Sequence, residues 1–506
     1  MNQNLYALLR AHFPADLSQT AIETSDGGEI SYGDLDAGAA RMANTLIQHG
    51  VQPGDRVMVQ AGKSVTAVLL YLGCLRAGGV YLPLNTAYTA AEVDYFMGDA
   101  EPTVAVCDPS ALGAFEDLAA KHGTAHVLSL DNQGAGTFSQ AAEAASAEHE
   151  TVMREGDDLA AILYTSGTTG RSKGAMLSHA NLSTNALALH KIWGFVPGDV
   201  LLHALPIFHV HGLFVALHCA LLNASRILFL PKFDLDAVLE RLPRSSVFMG
   251  VPTFYTRLLQ APDFDQAVCA NMRLFVSGSA PMLAETFNEF EARSGHTILE
   301  RYGMTEAGMI TSNPYDGERI AATVGYALPD VQTRVADDDG NILPAGEIGV
   351  LEIIGPNVFT GYWRMPEKTA EEFRDDGWFV TGDMATMAAD GRVAIVGRAK
   401  DLIISGGLNV YPKEIESVID ELPGVGEAAV IGLDHPDFGE AVSAVITLDP
   451  AGPAISEDDV IAALSDKLAA FKRPKRVFIV DALPRNAMGK VQKKQLRDDY
   501  ADTFSE

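Results

Sequence analysis

Residues 164–174, with the sequence YTSGTTGRSKG, constrain this chain more than any other stretch. The apolar residues 159–163 before it predict a buried strand. Glycines let backbone N–H groups turn toward an anion, hydroxyls donate hydrogen bonds, and Arg171 and Lys173 add positive charge. A surface turn also uses Ser, Thr and Gly, but it does not need two cations as well. The stretch therefore predicts a phosphate-binding loop, and not a Walker A loop, since Gly174 follows the lysine where Ser or Thr would be needed.

Length and charge narrow the class of protein. A chain of 506 residues exceeds one hydrophobic core, so we expect at least two domains. The formal net charge of −29 argues against nonspecific binding of nucleic acid. No apolar run reaches the ~18 residues of a membrane span, and residues 1–17 lack the apolar core of a signal peptide. The four cysteines lie far apart beside apolar runs, which predicts buried free thiols. We expect a cytoplasmic protein that binds neither nucleic acid nor membranes.

Strand and helix patterns alternate along the first part of the chain. Residues 55–59, 80–84 and 103–107 predict strands, and residues 64–76 and 90–97 between them predict helices. This alternation is typical of an α/β fold with a mostly parallel sheet flanked by helices. A β-rich segment and a small α+β segment complete the chain.

Two further motifs carry chemical groups. Residues 300–306, ERYGMTE, end in a carboxylate, which is a hard ligand suited to a phosphate-bound Mg²⁺. Residues 206–212, PIFHVHG, contain His209 and His211 without Cys or carboxylate ligands at useful spacing, so we reject a metal site there. The plain alternatives are a surface glutamate after a strand and two hydrogen-bonded histidines at the end of a core strand.

Together these motifs resemble the adenylate-forming superfamily of acyl-CoA synthetases, luciferases and peptide-synthetase adenylation domains. The motifs at 164–174 and 300–306, the TGD sequence ending at Asp383, and LPRNAMGK ending at Lys490 occur in the family's order. The resemblance implies an N-terminal adenylation domain at 1–397, a hinge at 398–400 and a mobile C-terminal lid domain at 401–506. It also implies two half-reactions. A carboxylate attacks the α-phosphate of MgATP to give an acyl-adenylate and pyrophosphate, and the thiol of coenzyme A then displaces AMP.

The resemblance also assigns site residues. Lys490 and Lys173 would contact the phosphates, His209 would orient the carboxylate and gate its access, Glu306 would bind Mg²⁺, and Lys400 would be the hinge. The remaining predicted ATP-binding residues are Thr165, Ser166, Gly167, Thr168, Thr169, Gly170, Arg171, Ser172, Ser279, Glu300, Arg301, Tyr302, Thr305, Asp383 and Arg398. The predicted CoA-binding residues are Gly406, Gly407, Lys472 and Arg473. The segment ending at Lys490 also resembles a site for lysine acetyltransferases, whose modification would remove the charge.

Among CoA ligases the chain most resembles malonate–CoA ligases, in residues 206–213, 250–257, 300–306 and 311–316. Residues 307–310, AGMI, depart from that pattern and leave methylmalonate or a related short diacid open. Three other interpretations also stay open: a ligase for a short monocarboxylate, a stand-alone enzyme that loads a carrier protein, and a nucleotide sensor without turnover.

A diacid leaves one carboxylate buried in the pocket, and a buried carboxylate without a partner is costly. Arginine suits this task, since its planar fork pairs a carboxylate through two hydrogen bonds. The sequence favours Arg257, because the apolar residues around it predict that it is buried, with Arg301 as a helper. Ser277 completes the predicted substrate-binding set together with His209.

Overall fold

The computed structural model describes residues 2–165, 172–405, 408–465, 467–486 and 489–504. These residues form two compact units. Unit 1 consists of Met1–Ala321, Gly325–Gln332 and Ile354–Phe373, and unit 2 consists of Ala322–Val324, Thr333–Ile353 and Arg374–Glu506. Most of the β-rich segment thus groups with the C-terminal residues. The domain boundary and hinge at 398–400 stay predictions.

Unit 1 begins with alternating helices and strands. In chain order these are α1 (Leu5–Ala11), β1 (Thr20–Thr24), β2 (Glu29–Ser31), α2 (Tyr32–Gln48), β3 (Arg56–Gln60), α3 (Val65–Arg76), β4 (Val80–Pro83), α4 (Ala90–Ala100), β5 (Val104–Cys107), α5 (Leu112–His122), β6 (His126–Ser129), α6 (Thr137–Ala144) and β7 (Leu159–Thr165). The side chains of Ser31 and Thr89 cap the first turns of α2 and α4, each within a capping box.

The alternation continues to residue 327. The elements are β8 (Lys173–Ser178), α7 (His179–Ile192), β9 (Val200–His203), α8 (Leu217–Leu222), β10 (Arg226–Phe229), α9 (Leu235–Arg241), β11 (Val247–Gly250), α10 (Pro252–Gln260), β12 (Leu274–Ser277), α11 (Ala284–Ser294), β13 (Leu299–Met304), β14 (Gly308–Ser312) and β15 (Tyr326–Ala327).

The last third of the chain is richer in strands. Its elements are β16 (Gln332–Ala336), β17 (Gly349–Ile354), β18 (Gly361–Tyr362), α12 (Pro366–Glu371), β19 (Phe379–Met387), β20 (Val393–Arg398), β21 (Ile403–Ser405), β22 (Leu408–Val410), α13 (Pro412–Asp420), β23 (Val425–His435), β24 (Gly439–Leu448), α14 (Glu457–Ala463), β25 (Arg476–Ile479) and α15 (Lys493–Asp499).

Two large sheets organise unit 1. One has the order β18-β8-β7-β4-β3-β5-β6, and the other has the order β15-β14-β13-β12-β11-β9-β10-β1-β2. The central strands pair in parallel, for example β3 with β4 and β5, and β12 with β11 and β13. The predicted α/β fold with mostly parallel sheets flanked by helices is confirmed. Its strands end beside the loops that carry the motifs.

Unit 2 contains two smaller sheets. The first has the order β16-β17-β19-β20, and the second has the order β22-β21-β24-β23, with β25 paired to β24. Helix α13 packs against β23, where the Ala428 N–H donates to Asp420 Oδ1 at 2.7 Å. Burial raises the pKa of Asp420 to about 7. None of the helices in the described ranges combines the length and apolar character that a bilayer span requires.

The four cysteines are free and buried, as the sequence predicts. Burial raises the pKa of the Cys107 and Cys269 thiols to about 12. It raises the pKa of Cys74 and Cys219 further still. All four thiols are therefore protonated at neutral pH.

Candidate active site

The predicted phosphate loop joins two antiparallel strands. β7 ends at Thr165 and β8 begins at Lys173, and these two residues pair across the strands. The Tyr95 hydroxyl donates to the carbonyl of Ser172 at 2.9 Å, which fixes the second end of the loop. The predicted buried strand before the loop is confirmed. The remaining ATP-binding residues predicted there, Ser166, Gly167, Thr168, Thr169, Gly170 and Arg171, lie outside the described residues.

Lys173 belongs to a half-buried polar cluster. Its Nζ donates to Glu372 Oε1 at 2.8 Å and lies 4.0 Å from the centroid of the Tyr362 ring. The Tyr362 hydroxyl lies 2.7 Å from Glu372 Oε2 and 3.0 Å from Glu306 Oε1. One hydroxyl has one proton, so it can donate to only one of these carboxylates at a time. Tyr362 and Glu372 therefore connect the cation of the phosphate loop with the carboxylate predicted to bind Mg²⁺.

Glu372 is ionised in this cluster. Burial alone would raise its pKa, but the hydrogen bonds from Lys173 and Tyr362 outweigh burial and lower the pKa. The sequence analysis missed Glu372, because it directly follows the short helix α12 among other acidic residues and matches no motif. Its partners become visible only when β18 pairs with β8.

Glu306 suits a magnesium ion that ATP brings with it. Its side chain is buried, and a carboxylate is a ligand that Mg²⁺ prefers. The described part of the chain contains no group of three or more His, Cys, Asp or Glu residues that could hold a metal ion alone. A phosphate-bound Mg²⁺ needs only one or two protein carboxylates, so the residues fit such an ion.

The rest of the ERYGMTE motif spans β13 and the turn that follows it. Glu300 is buried, whereas Tyr302 and Thr305 are half-buried. A Cβ on Gly303 would lie 2.2 Å from the Gly308 carbonyl oxygen, so only glycine lets β13 and β14 approach this closely. The motif therefore ends in a tight turn that fixes the position of Glu306.

The two histidines of the PIFHVHG segment differ in their surroundings. His209 is half-buried, and its Nδ1 accepts from the His211 N–H at 3.4 Å. His211 is buried at the start of a π-helical turn, His211–Ala216, a feature frequent at functional sites. Its Nδ1 lies 3.3 Å from Ser279 Oγ. Burial, and then the charge of Arg301, hold the pKa of His211 well below its usual value, so the ring is neutral.

Arg301 is a buried cation with incomplete hydrogen bonding. Its side chain is almost inaccessible, and its Nε and Nη2 have no hydrogen-bond partner among the described residues. Burial lowers the pKa of Arg301 to about 9, which still leaves it protonated at neutral pH. A Cβ on Gly278 would lie 2.3 Å from Arg301 Nη1, so any larger residue at 278 would displace the guanidinium. The buried hydroxyl of Ser277 also lacks a hydrogen-bond partner within the described ranges.

Ser279 follows in the same turn with a backbone φ of 72°. This left-handed conformation is strained for a residue other than glycine, and such strain clusters at functional sites. The turn after β12 therefore brings Ser277 and Ser279 next to Arg301 and His211.

The predicted burial of Arg257 is wrong. Its side chain is exposed, with Cζ 5.8 Å from the centroid of the Phe233 ring. The buried residues of α10 are Tyr255 and Leu258, which lie on one side of the helix at a spacing of three. Arg257 points away from that side, because successive helical residues are about 100° apart. Apolar neighbours in the sequence do not predict burial of a helical residue, because burial also depends on which side of the helix the residue occupies.

Four predicted site residues come together within unit 2. Asp383 on β19 faces Arg398 on β20, and Arg398 Nε lies 2.8 Å from Asp383 Oδ1. Lys490 is partly exposed, yet desolvation of its ammonium, and then the charge of Arg398, lower the pKa of Lys490. Desolvation also lowers the pKa of Lys400 to about 8, with Arg398 and Lys490 adding to the effect. Lys490 and Lys400 thus lie within electrostatic reach of Arg398.

The predicted CoA-binding cations already have partners within the chain. Lys472 Nζ donates to both carboxylate oxygens of Glu414, at 2.6 and 2.8 Å. Arg473 donates to the carbonyls of Leu468 and Ser465, at 2.8 and 2.6 Å. Gly406 and Gly407 lie outside the described residues. Contact with CoA stays a prediction for all four residues.

Comparison with known proteins identifies the family. Residues 12–363 match the family model of the AMP-binding enzymes, and residues 414–490 match the model of the AMP-binding enzyme C-terminal domain.

Two curated relatives differ in the acid that their names state. The malonate–CoA ligase of Arabidopsis thaliana is 35% identical over 94% of this chain and 85% of its own length. The feruloyl-CoA synthase of an Amycolatopsis species is 35% identical over 96% of both chains. Identity at this level therefore does not distinguish between the acids.

A solved structure, ATP-bound MatB from Rhodopseudomonas palustris, is 57% identical over the whole of both chains, with a TM-score of 0.97. This similarity over the whole length agrees with the two family models, which match residues 12–363 and 414–490. The chain therefore belongs to the AMP-binding enzymes, and within them to the adenylate-forming acyl-CoA ligases.

Proposed function

We propose that the protein ligates malonate, or a related short diacid such as methylmalonate, to coenzyme A. The reaction passes through an acyl-adenylate and releases AMP and pyrophosphate. The observation that carries the choice of a diacid is Arg301, a buried cation whose Nε and Nη2 have no partner in the part of the chain that the structure describes. The malonate–CoA ligase of Arabidopsis thaliana is one relative at 35% identity that acts on such a diacid.

A diacid substrate gives Arg301 what it lacks. A carboxylate can accept two parallel hydrogen bonds from a guanidinium, and the pair is strong where water is excluded. The neutral ring of His211 and the hydroxyls of Ser277 and Ser279 offer further polar contacts nearby. A monocarboxylate would leave the guanidinium desolvated and unpaired, which disfavours it.

In the first half-reaction, negative charge builds up around the α-phosphate of ATP, so cations placed in advance lower the barrier. Lys490 bridges the substrate carboxylate and the α-phosphate, and Lys173 holds the β- and γ-phosphates. Glu306 would hold the Mg²⁺ that accompanies ATP, and that ion would supply positive charge next to the phosphates. His209 orients the reacting carboxylate.

The other proposed ATP contacts are Tyr302 with the adenine, Thr305 with the α-phosphate, and Asp383 and Arg398 with the ribose. Lys400 is the proposed hinge between the two half-reactions, which require different poses of the C-terminal domain. Lys490 is partly exposed, so a lysine acetyltransferase would have access to it, and acetylation should stop the first half-reaction.

The test is release of pyrophosphate across a panel of acids, with and without CoA, together with detection of the thioester. We expect malonate or methylmalonate to give the highest kcat/KM and to form a CoA thioester. A higher value for propionate or ferulate would contradict the choice of a diacid. Pyrophosphate release without a CoA thioester, but with transfer to a pantetheinylated carrier protein, would favour a carrier-loading enzyme. Absence of turnover with every acid would favour a nucleotide sensor.

A further inference from the structure

The contact between Lys173 and Glu372 conflicts with a simple phosphate-binding role for Lys173. Its Nζ donates to Glu372 Oε1 at 2.8 Å, and both side chains are only about one-fifth exposed, at 19% and 21%. A phosphate that binds Lys173 therefore arrives next to an ionised carboxylate. Two anions cannot share one ammonium at this distance without repulsion, and partial burial strengthens that repulsion.

We infer that Glu372 is a built-in counter-ion of Lys173, which the phosphates of ATP replace, and that it thereby sets the affinity for ATP. This inference rests on the proposed role of Lys173. Glu372 is a positioning residue that acts through Lys173 and contacts no reacting atom.

The exchange does not leave Glu372 without partners. Lys368 Nζ lies 3.4 Å from Glu372 Oε1, and the Tyr362 hydroxyl lies 2.7 Å from Oε2. Lys173 keeps its cation–π contact with the Tyr362 ring, because that contact does not require the Glu372 carboxylate. Its ammonium has three N–H donors, so it can also donate to a phosphate. Both charges therefore remain paired before and after ATP binds, and the cost of the exchange is the 2.8 Å ion pair between Lys173 and Glu372 that ATP must break.

The test compares Glu372→Gln with a matched control, Glu371→Gln. Glutamine keeps the size of residue 372 and an oxygen that accepts from Lys173, but it removes the charge. Glu371 is the preceding residue, is well exposed and pairs with Lys368 at 2.9 Å, so its substitution changes net charge equally without touching the Lys173 contact. We expect the Kd for ATP at fixed Mg²⁺, measured by calorimetry, to fall about three- to tenfold in Glu372→Gln. It should not change in Glu371→Gln.

A Lys173→Met background tests whether the effect of Glu372 depends on its contact with Lys173. In Lys173→Met, ATP should bind more weakly, and adding Glu372→Gln should no longer change the Kd, because the carboxylate has no ammonium to hold. The KM for ATP should follow the Kd in Glu372→Gln while kcat stays within about twofold. Loss of folding would instead lower kcat and the melting temperature together.

Three results would overturn the inference alone: weaker ATP binding in Glu372→Gln, an equal gain in Glu371→Gln, or a gain that persists in the Lys173→Met background. If Lys173→Met by itself leaves the Kd for ATP unchanged, the phosphate role of Lys173 is wrong and the inference falls with it. The calorimetric Kd requires no acid substrate, so it remains informative if the diacid assignment fails.

Discussion

Replacing Arg301 by methionine tests whether this buried cation selects a diacid substrate. Methionine is nearly as long and flexible as the arginine stem, and it carries no charge. In the protein without ligand, burial lowers the pKa of Arg301 from 12.5 to about 9. At about 1.4 kcal/mol per pH unit, this corresponds to at most roughly 5 kcal/mol of unfavourable charge burial at neutral pH. Pairing with the second carboxylate of malonate recovers part of that cost, whereas propionate has no second carboxylate and recovers none.

Arg301→Met should therefore raise the stability of the fold and reduce the preference for malonate over propionate. Exchanging buried charge for a well-packed apolar side chain typically stabilises a protein, so the free energy of unfolding should rise by ~1–4 kcal/mol. Truncating one partner of a buried charge pair costs ~2–5 kcal/mol, so kcat/KM for malonate should fall roughly 30- to 4,000-fold. The value for propionate should stay within about threefold or rise.

The assay is kcat/KM for malonate and propionate in the wild type, Arg301→Met and Arg257→Met, with urea unfolding of each protein. Arg257 is the matched control, because it is an arginine on a neighbouring segment whose side chain is exposed. Two outcomes would refute the reasoning. One is loss of both acids in equal proportion in Arg301→Met, and the other is a larger loss of malonate in Arg257→Met.

Three further substitutions have defined outcomes. Gly278→Ala should reduce kcat/KM for malonate more than for propionate, since the new Cβ would lie 2.3 Å from Arg301 Nη1 and displace it. Lys490→Ala should abolish acyl-adenylate formation but spare thioester formation from supplied acyl-adenylate, and equal loss of both steps would contradict its role. Asp420 has a folded pKa of about 7 against an ordinary value of 3.8, so its stabilising contribution is complete below about pH 4 and is lost as the pH rises to about 7. Asp420→Asn should remove that loss, and urea unfolding at pH 5 and pH 8 would detect it.

Local patterns predicted the parts of this protein that depend on neighbouring residues. The strand before the phosphate loop and the alternation of strand and helix follow from apolar periodicity, which needs no tertiary information. The tight turn of the ERYGMTE motif also has a local cause, since Gly303 must lack a Cβ.

Features that depend on distant pairing could not be predicted. Glu372 contacts Lys173 only because β18 pairs with β8, and nothing local distinguishes it from Glu371. The prediction that Arg257 is buried failed for a related reason. Burial of an arginine depends on helix phase and on what packs against each face, whereas the sequence argument used only neighbouring hydrophobicity.

The burial of the four cysteines has a chemical consequence for an enzyme that makes thioesters. An acyl-adenylate is an activated acyl donor, and the nucleophile that it meets in a protein is a thiolate more readily than a thiol. Here every cysteine is buried with a raised pKa, so the chain offers no thiolate of its own at neutral pH. The cysteines of the enzyme are thereby protected from acylation, and the thiol that remains available to accept the acyl group is the one that coenzyme A delivers.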